Sequence, residues 1–211
     1  QPDAAFLADV SNVCLQQSLR HLDRAFSHFF KGQARYPAFK KKQRKQSATY
    51  MANGFRWRDG QLWLAKYKDL LNIRWSRYFS GTPTSITVSC DTAGRYHVSF
   101  LVEEAVTALP VTPSMVGIDL GLTHRVITSD GHKVPNPRFL RRTERKLALA
   151  QRRLSRKKKG SNNRAKARHR VVKVYAKLAD QRRDATHKLS TQLIHENQVI
   201  AAESLQIKNM L

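Results

Sequence analysis

Apolar residues recur at Leu15, Leu19, Leu22, Phe26, Phe29 and Phe30. This spacing predicts one amphipathic helix over roughly residues 3–31, stopped at Gly32. Between residues 49 and 104 the period changes to two. Phe55-Arg-Trp57-Arg alternates, Asp59-Gly60 is a turn signal, and Gln61-Leu-Trp63-Leu continues beyond it. A third strand is expected at Leu71–Trp75, and a second hairpin joins Ser85–Ser89 to Arg95–Phe100 across Asp91–Gly94. About five short antiparallel strands predict a small β-barrel with its tryptophans mostly in the core.

Leu109-Pro-Val-Thr-Pro113 is a Pro-rich joint, and the pattern differs on its far side. The apolar run from Met115 holds one acid, Asp119; Arg125–Thr128, the turn Asp130-Gly131 and His132–Val134 complete a predicted three-stranded meander. Two helices follow, Pro137–Lys158 and Arg164–His195, joined by Lys159–Asn163. Their apolar positions (Leu140, Thr143, Leu147, Ala150, Leu154; then Ala167, Val171, Val174, Leu178, Ala185, Leu189, Leu193) keep a period near 3.5, which predicts an antiparallel hairpin with a narrow dry seam. A last apolar strand, Gln198–Leu205, carries the single acid Glu203.

Charge sharpens this picture. The 211 residues carry 39 Lys and Arg against 15 Asp and Glu, a formal net charge of +24. Such an excess points to a polyanionic partner, most simply nucleic acid. It falls in two blocks: +10 over Arg35–Arg77 and +17 over Arg138–Lys188. A solvated helical face normally mixes both signs, so the second block reads as a polyanion-binding arm, with Arg152, Arg153, Arg156, Lys157, Lys158, Lys159, Arg164 and Arg168 as candidate phosphate contacts. In the first block Tyr36 and Phe39 interleave with Lys40, Lys41 and Lys42, a combination able to stack on bases and neutralise phosphates, or simply to link and pack. No apolar run is long enough for a membrane span, and the N-terminus has no secretory pattern. Two distant cysteines, Cys14 and Cys90, form no CxxC pair, and no zinc site is expected. The histidines His124, His132, His169 and His187 lack metal-ligand spacing.

Asp119 and Glu203 are each the lone acid of an apolar strand. A buried carboxylate is costly unless paired. If their strands are neighbours, both groups reach one sheet edge, where hard oxygen donors suit Mg²⁺ or Mn²⁺. Alternatively, Asp119 caps a turn with Gly121, and Glu203 is a hydrogen-bonded strand end.

The segments Val116-Gly-Ile-Asp119-Leu-Gly-Leu and Val199-Ile-Ala-Ala-Glu203-Ser-Leu-Gln-Ile-Lys-Asn-Met210 resemble the first and second RuvC motifs of the TnpB family, transposon-encoded RNA-guided nucleases related to type V CRISPR effectors and once called OrfB. Tyr36-Pro-Ala-Phe39-Lys-Lys-Lys and Leu154-Ser-Arg-Lys-Lys-Lys-Gly160-Ser also fit, in order, along nearly the whole chain. The resemblance implies an α+β protein: a helical recognition remnant (1–34), a basic linker with a wedge-type barrel (35–109), and a partial ribonuclease-H-like RuvC domain (110–211) with a basic helical hairpin at 137–196. It implies Asp119 and Glu203 as catalytic, Mg²⁺- or Mn²⁺-binding carboxylates, a guide RNA and a DNA target as partners, and a prokaryotic, cytoplasmic, nucleoid-associated setting.

The family's third carboxylate and zinc ribbon have no counterpart here, so the chain reads as truncated at both ends, with weakly bound metal and weak or no cleavage. No membrane and no protein partner are expected. Two alternatives stay open: a non-catalytic guide-RNA- or DNA-binding repressor or remnant, and an actin-like ATPase in which Gly121 admits a phosphate and Thr123 contacts it.

Overall fold

A computed structural model describes residues 2–41 and 44–203. The chain divides into two compact units, Gln1–Val106 and Thr107–Leu211. The architecture is mixed α+β, with three α-helices and nine strands among the described residues.

In the first unit the expected single helix is broken. Pro2–Asp9 is a 3₁₀ helix, and helix α1 runs Asn12–Phe30. Ser11 lies between them with ψ 128°, out of the helical region, while its carbonyl accepts from Cys14 N–H at 3.0 Å and Leu15 N–H at 3.3 Å. The helix also turns a different face inward. Cys14 and Gln17 are buried, whereas Leu19 is 67% and Phe30 79% exposed. That face packs closely on a 3₁₀ turn, Ala52–Gly54: a Cβ at Gly54 would sit 3.1 Å from Val13 Cγ1 and 3.3 Å from the Tyr50 ring. A larger residue at position 54 would force the two elements apart.

Strands β1 (Gln46–Met51), β4 (Ser85–Cys90) and β5 (Tyr96–Leu101) make one antiparallel sheet in the order β1-β4-β5; β2 (Phe55–Arg58) and β3 (Gln61–Leu64) make a separate hairpin. Left-handed Asp59 and Gly60 form its tight turn. The 91–94 turn is held by Asp91, whose Oδ1 accepts from Ala93 N–H (2.8 Å) and Arg95 N–H (2.9 Å). Neither sheet closes into the expected barrel. The predicted third strand, Leu71–Trp75, does not pair; Leu71 N–H donates to Leu62 O at 3.1 Å, and beyond that the segment is held by side chains. Trp75 lies 5.2 Å from Trp57 and 5.3 Å from Phe100, in a cluster with Phe79. Leu62 and Ile86, fully buried, join the hairpin to the sheet through Tyr50, Phe55, Val88 and Phe100. All three tryptophans are half-buried, and Trp63 lies under the Arg56 guanidinium at 5.5 Å.

In the second unit β6 (Met115–Asp119), β7 (His124–Thr128), β8 (Lys133–Pro135) and β9 (Val199–Ala202) form one sheet, ordered β8-β7-β6-β9. The meander pairs antiparallel and β9 joins β6 in parallel. Between β8 and β9 stand helices α2 (Phe139–Ser155) and α3 (Asn162–Glu196). Their buried residues, Leu147 on α2 and Ala167, Val171 and Leu178 on α3, belong to the predicted seam; Leu140 is instead exposed. Ser161 caps α3, its Oγ accepting from Arg164 N–H at 3.2 Å. No helix among the described residues is long and apolar enough to cross a membrane. Residues 204–211, which carry the end of the predicted last strand, and Lys42 lie outside the described residues.

Candidate active site and nucleic-acid interface

The parallel pairing of β6 and β9 is fixed just before the strands begin. Asn197 ends α3, its Nδ2 donating to Leu193 O at 3.0 Å while its Oδ1 accepts from Ser114 Oγ at 2.9 Å. Gln198 N–H then donates to Ser114 O at 2.9 Å. From that clamp the strands run in step: Met115 opposite Val199, Val116 opposite Ile200, Gly117 opposite Ala201, Ile118 opposite Ala202. The next residue of each chain is an acid, Asp119 and Glu203. Register partners in a parallel pair share a face, and neighbouring strands lie about 4.8 Å apart. The two carboxylates therefore emerge level at the C-terminal edge of the sheet.

Both are exposed, not buried as their apolar strands suggested. The reason is that β9 is an edge strand whose four residues are all exposed, and Asp119 is the last residue of β6. Beside them is a shallow depression of about 460 Å³, lined by Asp119, Glu203, Gly117, Ile118, Ile127, Thr128, Ser129, Ala201 and Ala202. Small residues at 117, 201 and 202 leave its floor open. Ser129 braces it, N–H to Gly117 O at 2.8 Å and Oγ accepting from Gly117 N–H at 3.0 Å. Close by, the Thr128 hydroxyl donates to Asp130 and holds that carboxyl below its ordinary range. No group of three or more His, Cys, Asp or Glu able to hold a metal occurs among the described residues. The donor set is two hard carboxylates with open space before them. It fits an oxygen-preferring divalent cation that keeps several waters, and not a soft or tetrahedral one.

Gly121 has a packing reason of its own. A Cβ there would stand 3.0 Å from the His124 carbonyl oxygen, so a larger residue would make the loop leaving Asp119 shift away from β7.

Along one side of the helical hairpin runs a groove of about 910 Å³. Its walls carry Lys146 and Arg153 from α2, Lys157 just beyond it, and Lys166, Arg170, Lys173 and Lys177 from α3; no acidic side chain is among the described residues lining it. The α3 cations recur every three or four residues and form one stripe about 16 Å long at 1.5 Å per residue. Of the phosphate contacts expected from sequence, Arg153 and Lys157 line this groove. Arg152, Arg156, Lys158, Lys159 and Arg168 are exposed but do not, and Arg164 is half-buried, with Nη1 donating to Leu154 O (3.2 Å) and Lys157 O (2.9 Å) to close the end of α2. The α3 stripe does not stand out as a run of adjacent charge; its signal in the sequence is the helical spacing 166, 170, 173, 177.

In the first unit Tyr36 is exposed but set edge-on against Phe26 (5.7 Å) and Phe29 (5.3 Å). Phe39 is 98% exposed, and Lys40 and Lys41 project into solvent.

Residues 97–211 match the OrfB family, described as "Probable transposase". The chain belongs to that family. This is the TnpB family of the sequence comparison above, and the match spans β6, the hairpin and β9. Two curated relatives align along 99% of the chain: "Putative RNA-guided DNA endonuclease" of Streptomyces pristinaespiralis, 49% identical, and "Putative RNA-guided DNA endonuclease InsQ" of Escherichia coli K12, 33% identical. The chain spans about half the length of these relatives, 53% and 52%.

Proposed function

We propose that the chain is the nucleic-acid-binding and partial catalytic portion of an RNA-guided, metal-dependent DNA endonuclease encoded by a mobile element. The observation that carries this reading is the level placement of Asp119 and Glu203 on paired parallel strands, beside a hairpin whose groove is lined, among the described residues, by cations and uncharged side chains only. The relatives named as RNA-guided DNA endonucleases supply the substrate class, a guide RNA and a DNA target. In this reading the second unit is a RuvC-type, ribonuclease-H-like domain and the first a wedge-like module.

Asp119 and Glu203 would hold Mg²⁺ or Mn²⁺. When bound, the metal supplies activation of water and stabilisation of the leaving oxygen at a phosphodiester. The chain's own residues do the rest. Lys146, Lys166, Arg170 and Lys173 neutralise backbone phosphates without reading bases, and Ser129 and Gly117 keep the floor of the carboxylate edge flat enough for a strand to approach. Two carboxylates contribute only two negative charges against the four of two divalent ions. The 211-residue chain therefore binds nucleic acid readily and cuts slowly or not at all. Purified protein with guide RNA, Mg²⁺ and matching DNA tests this; robust cutting that disappears in Asp119→Ala would show that two carboxylates suffice.

The second reading, a guide-RNA- or DNA-binding protein without catalysis, shares the cationic groove and differs only at the carboxylates. Family membership favours both over the ATPase alternative, and the close His124 carbonyl gives Gly121 a role that needs no phosphate.

A further inference from the structure

At the base of the hairpin, where α2 begins and α3 passes the meander, lies a third cavity, of about 500 Å³. Four arginines line it: Arg125 from β7, Arg138 and Arg141 from the start of α2, and Arg182 from α3. No acidic side chain is among the described residues lining it. Four like charges around one cavity repel one another unless an anion lies between them.

The surrounding structure holds this arrangement in place. Arg125 Nη2 donates to Thr186 Oγ1, and that hydroxyl donates to Arg182 O at 2.8 Å. Asn136 is fixed at both ends, Nδ2 donating to Leu122 O at 2.9 Å and Oδ1 accepting from Arg138 N–H at 3.1 Å. This holds Arg138 in the left-handed region, φ 43° and ψ 47°, which a non-glycine residue rarely adopts. The first turn of α2 that follows has no acidic residue and no side-chain cap, so its N–H groups add to the same positive field.

Guanidinium forks from three chain segments, converging with no carboxylate, match the several oxygens of a phosphate. The cavity stands level with one end of the groove along the helix axes but on another face of the hairpin: Thr143 and Gln181 line the groove, while Arg141 and Arg182, two and one residues away, line the cavity.

We propose that this four-arginine cavity is a phosphate-binding site that anchors one phosphate of a nucleic-acid strand bound at the hairpin. It rests on the nucleic-acid-binding reading above and adds a fixed point to it. The groove alone lets a strand slide; a phosphate seated against β7, α2 and α3 together sets the strand's register relative to the sheet that carries Asp119.

The test is fluorescence anisotropy with a 12-nucleotide single-stranded RNA bearing 5′-hydroxyl ends, across a range of KCl, after circular dichroism has shown each variant folded. Arg141→Gln/Arg182→Gln is expected to weaken binding about tenfold and to reduce the slope of log K against log salt by about 0.7, one phosphate's share for a single strand. Arg141→Lys/Arg182→Lys should restore the slope but only part of the affinity, because charge is kept and the fork lost. Lys166→Gln/Lys173→Gln, in the groove, probes the underlying reading. If it weakens binding while the arginine variant binds as the wild type does, the cavity proposal is overturned and the nucleic-acid reading stands. If the wild type does not bind, both fall. A 5′-phosphorylated RNA and inorganic phosphate followed by ³¹P NMR separate the sources. Tighter binding of the phosphorylated strand, abolished by the arginine variant, assigns a terminal phosphate; equal binding of both strands assigns an internal phosphodiester.

Discussion

Asp119 and Glu203 stand level, each one residue past the Ile118–Ala202 rung that joins two parallel strands. They are 84 positions apart, separated by a meander and a long helical hairpin, yet the bond from Gln198 N–H to Ser114 O starts both strands level, with each acid five residues further on. Period-two geometry makes this sensitive: a one-residue slip would turn one carboxylate to the opposite face.

The loop after Asp119 should be destabilised by any residue larger than glycine at position 121. Gly121→Ala puts a Cβ 3.0 Å from a backbone carbonyl, which cannot move as a flexible side chain would. A loss of about 1–3 kcal/mol in urea unfolding is expected. Unchanged stability would mean that the turn relaxes freely.

The hairpin groove should give RNA binding a steep salt dependence. Replacing both Lys166 and Lys173 with Gln should lower the magnitude of the log–log slope by about 1.4 for a single strand. Equal weakening by charge-neutral changes elsewhere on the hairpin would count against a groove-centred interface.

The core of the first unit should be the costliest place to truncate. Leu62 and Ile86 are wholly inaccessible and join the β2–β3 hairpin to the β4 strand. Ile86→Ala is expected to cost about 2–5 kcal/mol, read by chemical denaturation, whereas Leu19→Ala on the exposed face of α1 should cost far less.

Alkaline pH should loosen α1 from β1. Burial, with a hydrogen bond to the Cys14 thiol, pushes the Tyr50 hydroxyl up to about 12 from its ordinary 10. The folded chain therefore keeps this proton where the unfolded chain releases it. Its contribution is complete below pH 10 and is lost as pH rises towards 12. Denaturation midpoints from pH 9 to 11.5 should fall, and Tyr50→Phe should flatten that fall.

The second unit was more legible in the sequence than the first, for physical reasons. A seam repeated over seven α3 positions has one solution, and the lone acids in two apolar strands could be seen without knowing the fold. Their neighbourhood could not be read, because the clamp between Ser114 and Asn197 has no periodic signature. Their burial was misjudged because apolar composition does not tell an edge strand from a central one, and β9 is an edge. In the first unit the alternation at Leu71–Trp75 suggested a strand, but ring packing of Trp75 on Trp57 and Phe100 held the segment without a ladder. The α1 face was misassigned because Leu19, Leu22 and Phe30 form a better apolar stripe than the Cys14–Gln17 face that packs inward.

The central claim is that Asp119 and Glu203 form one divalent-metal site. Mn²⁺ titration of the purified protein, followed by loss of the free-ion electron paramagnetic resonance signal, tests it most directly. Weak but saturable binding is expected, reduced at least tenfold by Asp119→Asn or Glu203→Gln alone and absent in the double variant. Mn²⁺ binding of wild-type strength in the double variant would contradict the account.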